Sequence, residues 1–274
     1  MSVHGWSLPF VPPTLADNEV HVWRASLEQP PTLRHRLLET LSADERERAG
    51  RFHFAKDRDH FVVARSVLRV VLGGYLGRDP AGLRFRYGPC GKPALADPCG
   101  AAPLCFNVSH SHGLALVAAT RSRAIGVDVE RIRTELNVEG VERLFSSCER
   151  AALRALAGDE HRRAFFACWT RKEAYLKARG QGLFLPLGGF AVRVLPGAPA
   201  ALLACDGDAG ERERWSLTEL APDPAYAAAL AVEGRGWRLR CWQWAVDEAC
   251  AGPARTHETP HVWRAARRQE EVEP

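Results

Sequence analysis

Apolar and polar positions alternate over Val20–Leu27, the pattern of a half-buried strand. Strand-like pieces recur at Leu83–Tyr87, Leu104–Ser109, Leu114–Thr120 and Ala124–Glu130, between loops rich in Gly, Pro and Asp. Helical spacing appears from Lys56 to about Tyr75, with Gly73-Gly74 near its end. Ser42 and Glu45 have the spacing of a capping box, which opens a short charged helix to about Gly50. A second series follows. Ser146 and Glu149 form another capping box ahead of Arg150–Leu156, and the strongest helix signal spans Glu160–Arg179, stopping before Gly180 and Gly182. Phe190–Leu195, Trp215–Leu220, Tyr226–Val232 and Arg238–Val246 then read as strands.

Each half thus has helices and a short meandering sheet, which predicts an α+β fold of two similar lobes. The expected division is a flexible leader over 1–19, an N-terminal lobe over 20–122, a C-terminal lobe over 123–250 and a flexible tail over 251–274. His21–Ala25 (HVWRA) recurs identically at His261–Ala265, between unlike flanks.

Composition narrows the function. Of 274 residues, 46% are hydrophobic, enough to close a core. Thirty-seven basic against 33 acidic residues leave a net charge of +4, too even for the dense basic face of a nucleic-acid protein. No stretch approaches the ~20 apolar residues of a membrane span, and the first residues lack the pattern of a signal peptide. The eight cysteines are scattered without a C-x-x-C, so free thiols and a cytoplasmic location are expected.

Three segments carry candidate chemistry: Asn107–Gly113 (NVSHSHG), Ile125–Glu130 (IGVDVE) and Trp169–Lys177 (WTRKEAYLK). On a strand, Gly126, Asp128 and Glu130 share one face. Two neighbouring carboxylates repel unless a cation lies between them, and a hard divalent ion such as Mg²⁺ meets that need. The same pattern also describes a strand with acidic residues on its wet side. On a helix, Trp169, Glu173 and Lys177 stack along one side, with Lys172 just off it; an ordinary i,i+4 ion pair would look the same. Ser109 and His110 sit at a strand end, where they can donate to a phosphate. Gly91-Lys92-Pro93 adds a cation on a tight turn.

Taken together and in order, G-K-P, F-N-V-S-H, G-V-D-V-E and W-T-R-K-E-A-Y-L-K resemble the 4′-phosphopantetheinyl transferases of the large, two-lobed Sfp type, from about Val20 to Val246. The resemblance implies two lobes related by a pseudo-twofold, the site between them, and a monomer. It implies transfer of the phosphopantetheine arm of coenzyme A to a serine of an apo acyl or peptidyl carrier protein. By the same resemblance Asp128, Glu130 and Glu173 are the Mg²⁺ ligands, Glu173 also the proton acceptor, and Lys177 the group beside the diphosphate. Asp128, Lys172, Lys177, Lys92, Pro93, Ser109 and His110 are implied at the coenzyme, with Arg48, Arg65 and Arg86 toward its 3′-phosphate. Glu45 and Phe61 depart from the family pattern, which has a lysine and a threonine there. Two rivals share these residues: another Mg²⁺ enzyme acting on a diphosphate, and a non-catalytic coenzyme A-binding module.

Overall fold

The computed structural model describes residues 5–9, 13–97, 102–135, 138–180, 185–195, 198–205 and 210–245. In chain order the first half contains β1 (Glu19–Ser26), α1 (Pro31–Leu38), α2 (Ala43–Gly50), α3 (Ala55–Leu76), β2 (Phe85–Tyr87), β3 (Pro93–Leu95), β4 (Leu104–Ser111) and β5 (Leu114–Arg121). The second half contains β6 (Ile125–Arg131), α4 (Glu139–Glu142), α5 (Ser147–Arg154), α6 (Gly158–Arg179), β7 (Phe190–Val192), β8 (Leu202–Cys205), α7 (Glu211–Arg214), β9 (Trp215–Leu220), β10 (Tyr226–Glu233) and β11 (Arg238–Gln243).

Two sheets form the centre, one in the order β11-β1-β5-β4 and one in the order β6-β10-β9, with β2-β3 and β7-β8 as separate hairpins. Alternation along the strands puts a different core on each side. Trp23, Ala25 and Val117 face Val63, Val67 and Leu68 of α3. On the far side, Phe165, Phe166 and Tyr175 of α6 pack on Ala229 and Ala231. Between the sheets, Val20, Val22, Leu116 and Ala118 meet Val127, Val129, Leu230 and Val232. The layers therefore run helix, sheet, sheet, helix, and the two halves bury a shared apolar face.

The halves repeat one device. Ser42 and Ser146 cap α2 and α5 in capping boxes with Glu45 and Glu149. Each glutamate then reaches a buried cation on the following long helix, Glu45 to Arg69 and Glu149 to Lys172. Both long helices end at a left-handed glycine, Gly77 (φ 61°) and Gly180 (φ 68°). The Gly73-Gly74 pair lies in the last turn of α3, near its end as the sequence suggests. A Cβ on Gly73 would stand 2.8 Å from the carbonyl oxygen of Arg78, so this glycine admits the chain as it leaves the helix.

Two sequence expectations change, and one element went unread. β11, assigned to the C-terminal lobe, runs parallel to β1 in the first sheet, from Glu19 beside Arg238 to Arg24 beside Gln243. A period-two pattern sets the faces of a strand but not its neighbour, and a parallel neighbour can come from far along the chain. The supposed leader is partly built in: Leu15 is 3% exposed within the first core, and Ser7 exchanges backbone hydrogen bonds with β11, from its N–H to Cys241 and from Gln243 to its carbonyl. The short helix α1, opened by Pro31, carries too weak an apolar stripe to read from the sequence. The tail over 251–274, with its second HVWRA, lies outside the described residues.

Candidate functional site

β4 and β6 run side by side at the junction of the halves, joined through side chains. Asn107, Ser109 and Ser111 alternate along β4, so all three face β6. Asn107 Oδ1 accepts from the Val127 N–H at 2.9 Å, Ser109 Oγ from Val129 at 3.4 Å and Ser111 Oγ from Arg131 at 3.2 Å. The hydroxyls then turn to the acidic residues. Ser109 Oγ donates to Asp128 Oδ1 at 2.9 Å, and Ser111 Oγ donates to Glu130 Oε2 at 2.7 Å. Sequence reasoning missed this ladder. The signal available was Asn107, Ser109 and Ser111 at every second position of N-V-S-H-S.

The other wall is α6, which touches β6 at Gly126. A Cβ there would lie 2.1 Å from the Ala174 carbonyl oxygen and 2.3 Å from the Ala178 nitrogen, so only hydrogen fits between the two elements. This close approach brings Glu173 and Lys177 of α6 to the carboxylates of β6. Lys177 Nζ donates to Asp128 Oδ1 at 2.6 Å and to Ser109 Oγ at 2.9 Å. Its partner is thus a residue of the neighbouring strand, not the i−4 glutamate of its own helix. Asp128 is 3% exposed, and its Oδ2 is buried with no hydrogen-bond partner.

The three carboxylates feel one another. Glu173 is held above the ordinary carboxylate range by burial and then by the charges of Asp128 and Glu130, against the pull of Lys177. Glu130 is raised by burial and by Asp128, although the Ser111 hydrogen bond opposes the rise. A buried acceptor without a donor, flanked by two carboxylates reluctant to ionise, fits a hard cation with oxygen ligands. Among the described residues no three His, Cys, Asp or Glu side chains form a ready-made metal cage. Mg²⁺ ordinarily takes one or two carboxylates and completes its shell with water and phosphate oxygens, which this donor set permits.

The remaining predicted residues divide. His110, next to last in β4, is exposed as a residue but has protein crowded round its ring, and that desolvation, then the charges of Lys177 and His60, lowers its imidazole pKa. Ser109, read as a phosphate contact, is 7% exposed and spends its one donor and both acceptor positions on Asp128, Val129 and Lys177. Lys172 lies elsewhere: it is 0% exposed, and its ammonium donates to Glu149 and to the Phe190 carbonyl at 2.8 and 2.7 Å. One residue along a helix is ~100° of rotation, which turns Lys172 into the core while Glu173 faces β6. Its neighbour Arg171 is likewise buried, on Glu219 and the Arg193 carbonyl.

Lys92 points its ammonium at two backbone carbonyls, with Pro93 beside it opposite Tyr87 in the hairpin. Arg65 is tied to Glu45 and to the Tyr87 hydroxyl. Arg48 is exposed with its guanidinium 5.2 Å from the centre of the Phe61 ring, and exposed Arg86 makes one long bond to the Leu95 carbonyl. The departure at Glu45 thus has a structural use, since its carboxylate gathers Arg65 and Arg69 onto the cap of α2.

Fold and site define a two-sheet α+β protein with an acidic cluster and a lysine paired to it where its halves meet. A family model described as the 4′-phosphopantetheinyl transferase superfamily matches residues 124–231, and another, described as 4′-phosphopantetheinyl transferase, N-terminal, matches residues 23–122. The chain is 42% identical over 246 residues to the 4′-phosphopantetheinyl transferase HetI of Nostoc sp., covering 89% of this chain and 100% of that one. It is 31% identical to a 4′-phosphopantetheinyl transferase of Bacillus subtilis over 69% of this chain and 86% of the relative. To the transferase Sfp of Bacillus subtilis (strain 168) it is 33% identical over 58% and 69%. The chain belongs to the 4′-phosphopantetheinyl transferase family.

Proposed function

We propose that the chain moves the 4′-phosphopantetheine arm of coenzyme A onto a serine of an apo acyl or peptidyl carrier protein, leaving adenosine 3′,5′-bisphosphate, with Mg²⁺ required. The observation that carries this reading is the cluster at the junction: Asp128 with one oxygen on Ser109 and Lys177 and the other bare, between Glu130 and Glu173.

Asp128, Glu130 and Glu173 would hold the magnesium, which when bound polarises a diphosphate and neutralises its charge. The serine oxygen bonds to the phosphorus nearer the pantetheine, and the bond from that phosphorus to the bridging oxygen breaks. Glu173 accepts the serine proton as the general base. Lys177, fixed by Asp128 and Ser109, faces the departing phosphate with its remaining N–H. Ser109 acts through these two groups, and His110 borders the phosphates. Arg48 and Arg86 are the exposed cations for the 3′-phosphate end. One chain supplies the full set, in keeping with a monomer of lobes 20–122 and 123–250, the second of which lends strand β11 to the first sheet. Among the described residues no helix is long and apolar enough to cross a membrane. The cytoplasm is our reading from the free thiols among the described cysteines.

The test is intact-mass analysis of a panel of apo carriers incubated with coenzyme A and Mg²⁺. One carrier at least should gain a single phosphopantetheine arm, and Asp128→Ala should abolish the gain while unfolding at about the wild-type temperature. No gain on any carrier, or full transfer by folded Asp128→Ala, would overturn the reading.

A further inference from the structure

The Gly91-Lys92-Pro93 turn belongs to the β2-β3 hairpin in the first half, yet its lysine reaches the second. Lys92 Nζ donates to the carbonyl of Ile125 at 2.8 Å and to that of Ala178 at 3.2 Å. Ile125 opens β6, three residues before Asp128. Ala178 follows Lys177 in the last turn of α6, where carbonyls lack partners within the helix and a cation also meets the negative end of the helix dipole. The lysine stem passes Gly180, whose added Cβ would lie 3.8 Å from Lys92 Cδ. One ammonium thus spans the two elements whose contact at Gly126 admits no side chain.

This placement costs free energy. Burial pushes the Lys92 pKa down to about 8. A cation meant for a solvent-borne phosphate has no need to be sunk between two backbone carbonyls, whereas one that fixes a strand against a helix does. Two of its three N–H bonds are already committed.

We propose that Lys92 is a positioning residue that pins the start of β6 to the end of α6, and so sets Asp128 and Glu130 in register with Glu173 and Lys177. The inference rests on the proposed transfer reaction only for its kinetic arm.

Lys92→Met keeps the stem and removes the donors; Lys92→Arg keeps charge and donors. With the full chain, coenzyme A, Mg²⁺ and an apo carrier, Lys92→Met should lower kcat about tenfold or more, since small misplacement of reacting groups is costly. Its KM for coenzyme A should stay within about threefold, and Lys92→Arg should recover most of kcat. Hydrogen exchange of the unliganded protein should quicken in Lys92→Met over residues 125–131 and 174–180 and nowhere else. A rise of about tenfold in KM with kcat preserved would make Lys92 a ligand contact and overturn the proposal. Unchanged exchange in those two segments would overturn it as well. Should Lys92→Met fail to fold, Lys92→Arg decides: wild-type exchange with kcat within about threefold supports the brace, and wild-type exchange with a much lower kcat refutes it. The exchange arm needs no turnover, so a wild type that modifies no carrier would count against the function and leave this result standing.

Discussion

Gly126→Ala is the smallest change that tests whether the contact of β6 with α6 sets the site. The added carbon would fall 2.1 Å from the Ala174 carbonyl oxygen and 2.3 Å from the Ala178 nitrogen, both backbone atoms that no rotamer can move. Real Cβ contacts essentially never fall below 3.0 Å, so helix and strand must part by about 0.9 Å. Overpacking of this kind costs roughly 1–3 kcal/mol, and more where the obstacle is backbone. At about 2–4 °C per kcal/mol for a chain of this size, the melting temperature should fall by roughly 2–12 °C. The same parting carries Glu173 and Lys177 away from Asp128 and Glu130, and a displacement of about 1 Å can cost roughly 10²-fold in rate. Thermal unfolding and single-turnover transfer to an apo carrier read the two effects separately. Gly50→Ala, with open space around its Cβ in helix α2, is the control and should transfer at the wild-type rate and melt no lower than wild type. If Gly126→Ala melts like wild type and transfers at the wild-type rate, the contact does not set the site and the reasoning fails.

Glu173→Gln should reduce transfer by about 10²–10⁴-fold, the loss typical of a general base, with coenzyme A affinity changed far less. In the metal-free protein the same variant should melt higher than wild type at neutral pH. A carboxyl whose folded pKa is raised contributes relative stability while protonated and loses it as pH climbs from the ordinary 4.5 toward the raised value. The melting difference should therefore be near zero below 4.5 and grow above it; a difference flat in pH would sink the argument. Lys172→Met strands the buried Glu149 charge and should cost about 3–5 kcal/mol in denaturant unfolding while leaving the KM for coenzyme A unchanged; a raised KM with intact stability would return Lys172 to the ligand. Arg48→Ala should weaken coenzyme A by about tenfold more than its 3′-dephospho form, and equal losses would remove Arg48 from the 3′-phosphate.

The local pattern alone determined a good deal. Strand alternation and helix periodicity place Asp128 with Glu130 and Glu173 with Lys177 on shared faces, because backbone torsion dictates which side chains point together. The two capping boxes and the terminal glycine of α6 are likewise properties of a few consecutive residues. The motif order was enough to suggest the family, which the relatives support.

Partners were another matter. Nothing in the sequence says that Lys177 pairs with Asp128 before Glu173, that Ser109 spends its hydroxyl on the carboxylate, or that Lys92 ends on the carbonyls of Ile125 and Ala178. Lys172 and Glu173 are adjacent letters of one motif, yet 0% exposure and a salt bridge make the first a core residue. β11 reads like any other strand until β1 offers it an edge. Periodicity encodes direction, which is local. Burial, pairing and the cost of a charge depend on which distant segment closes over the residue, and only the packed sheets and helices decide that.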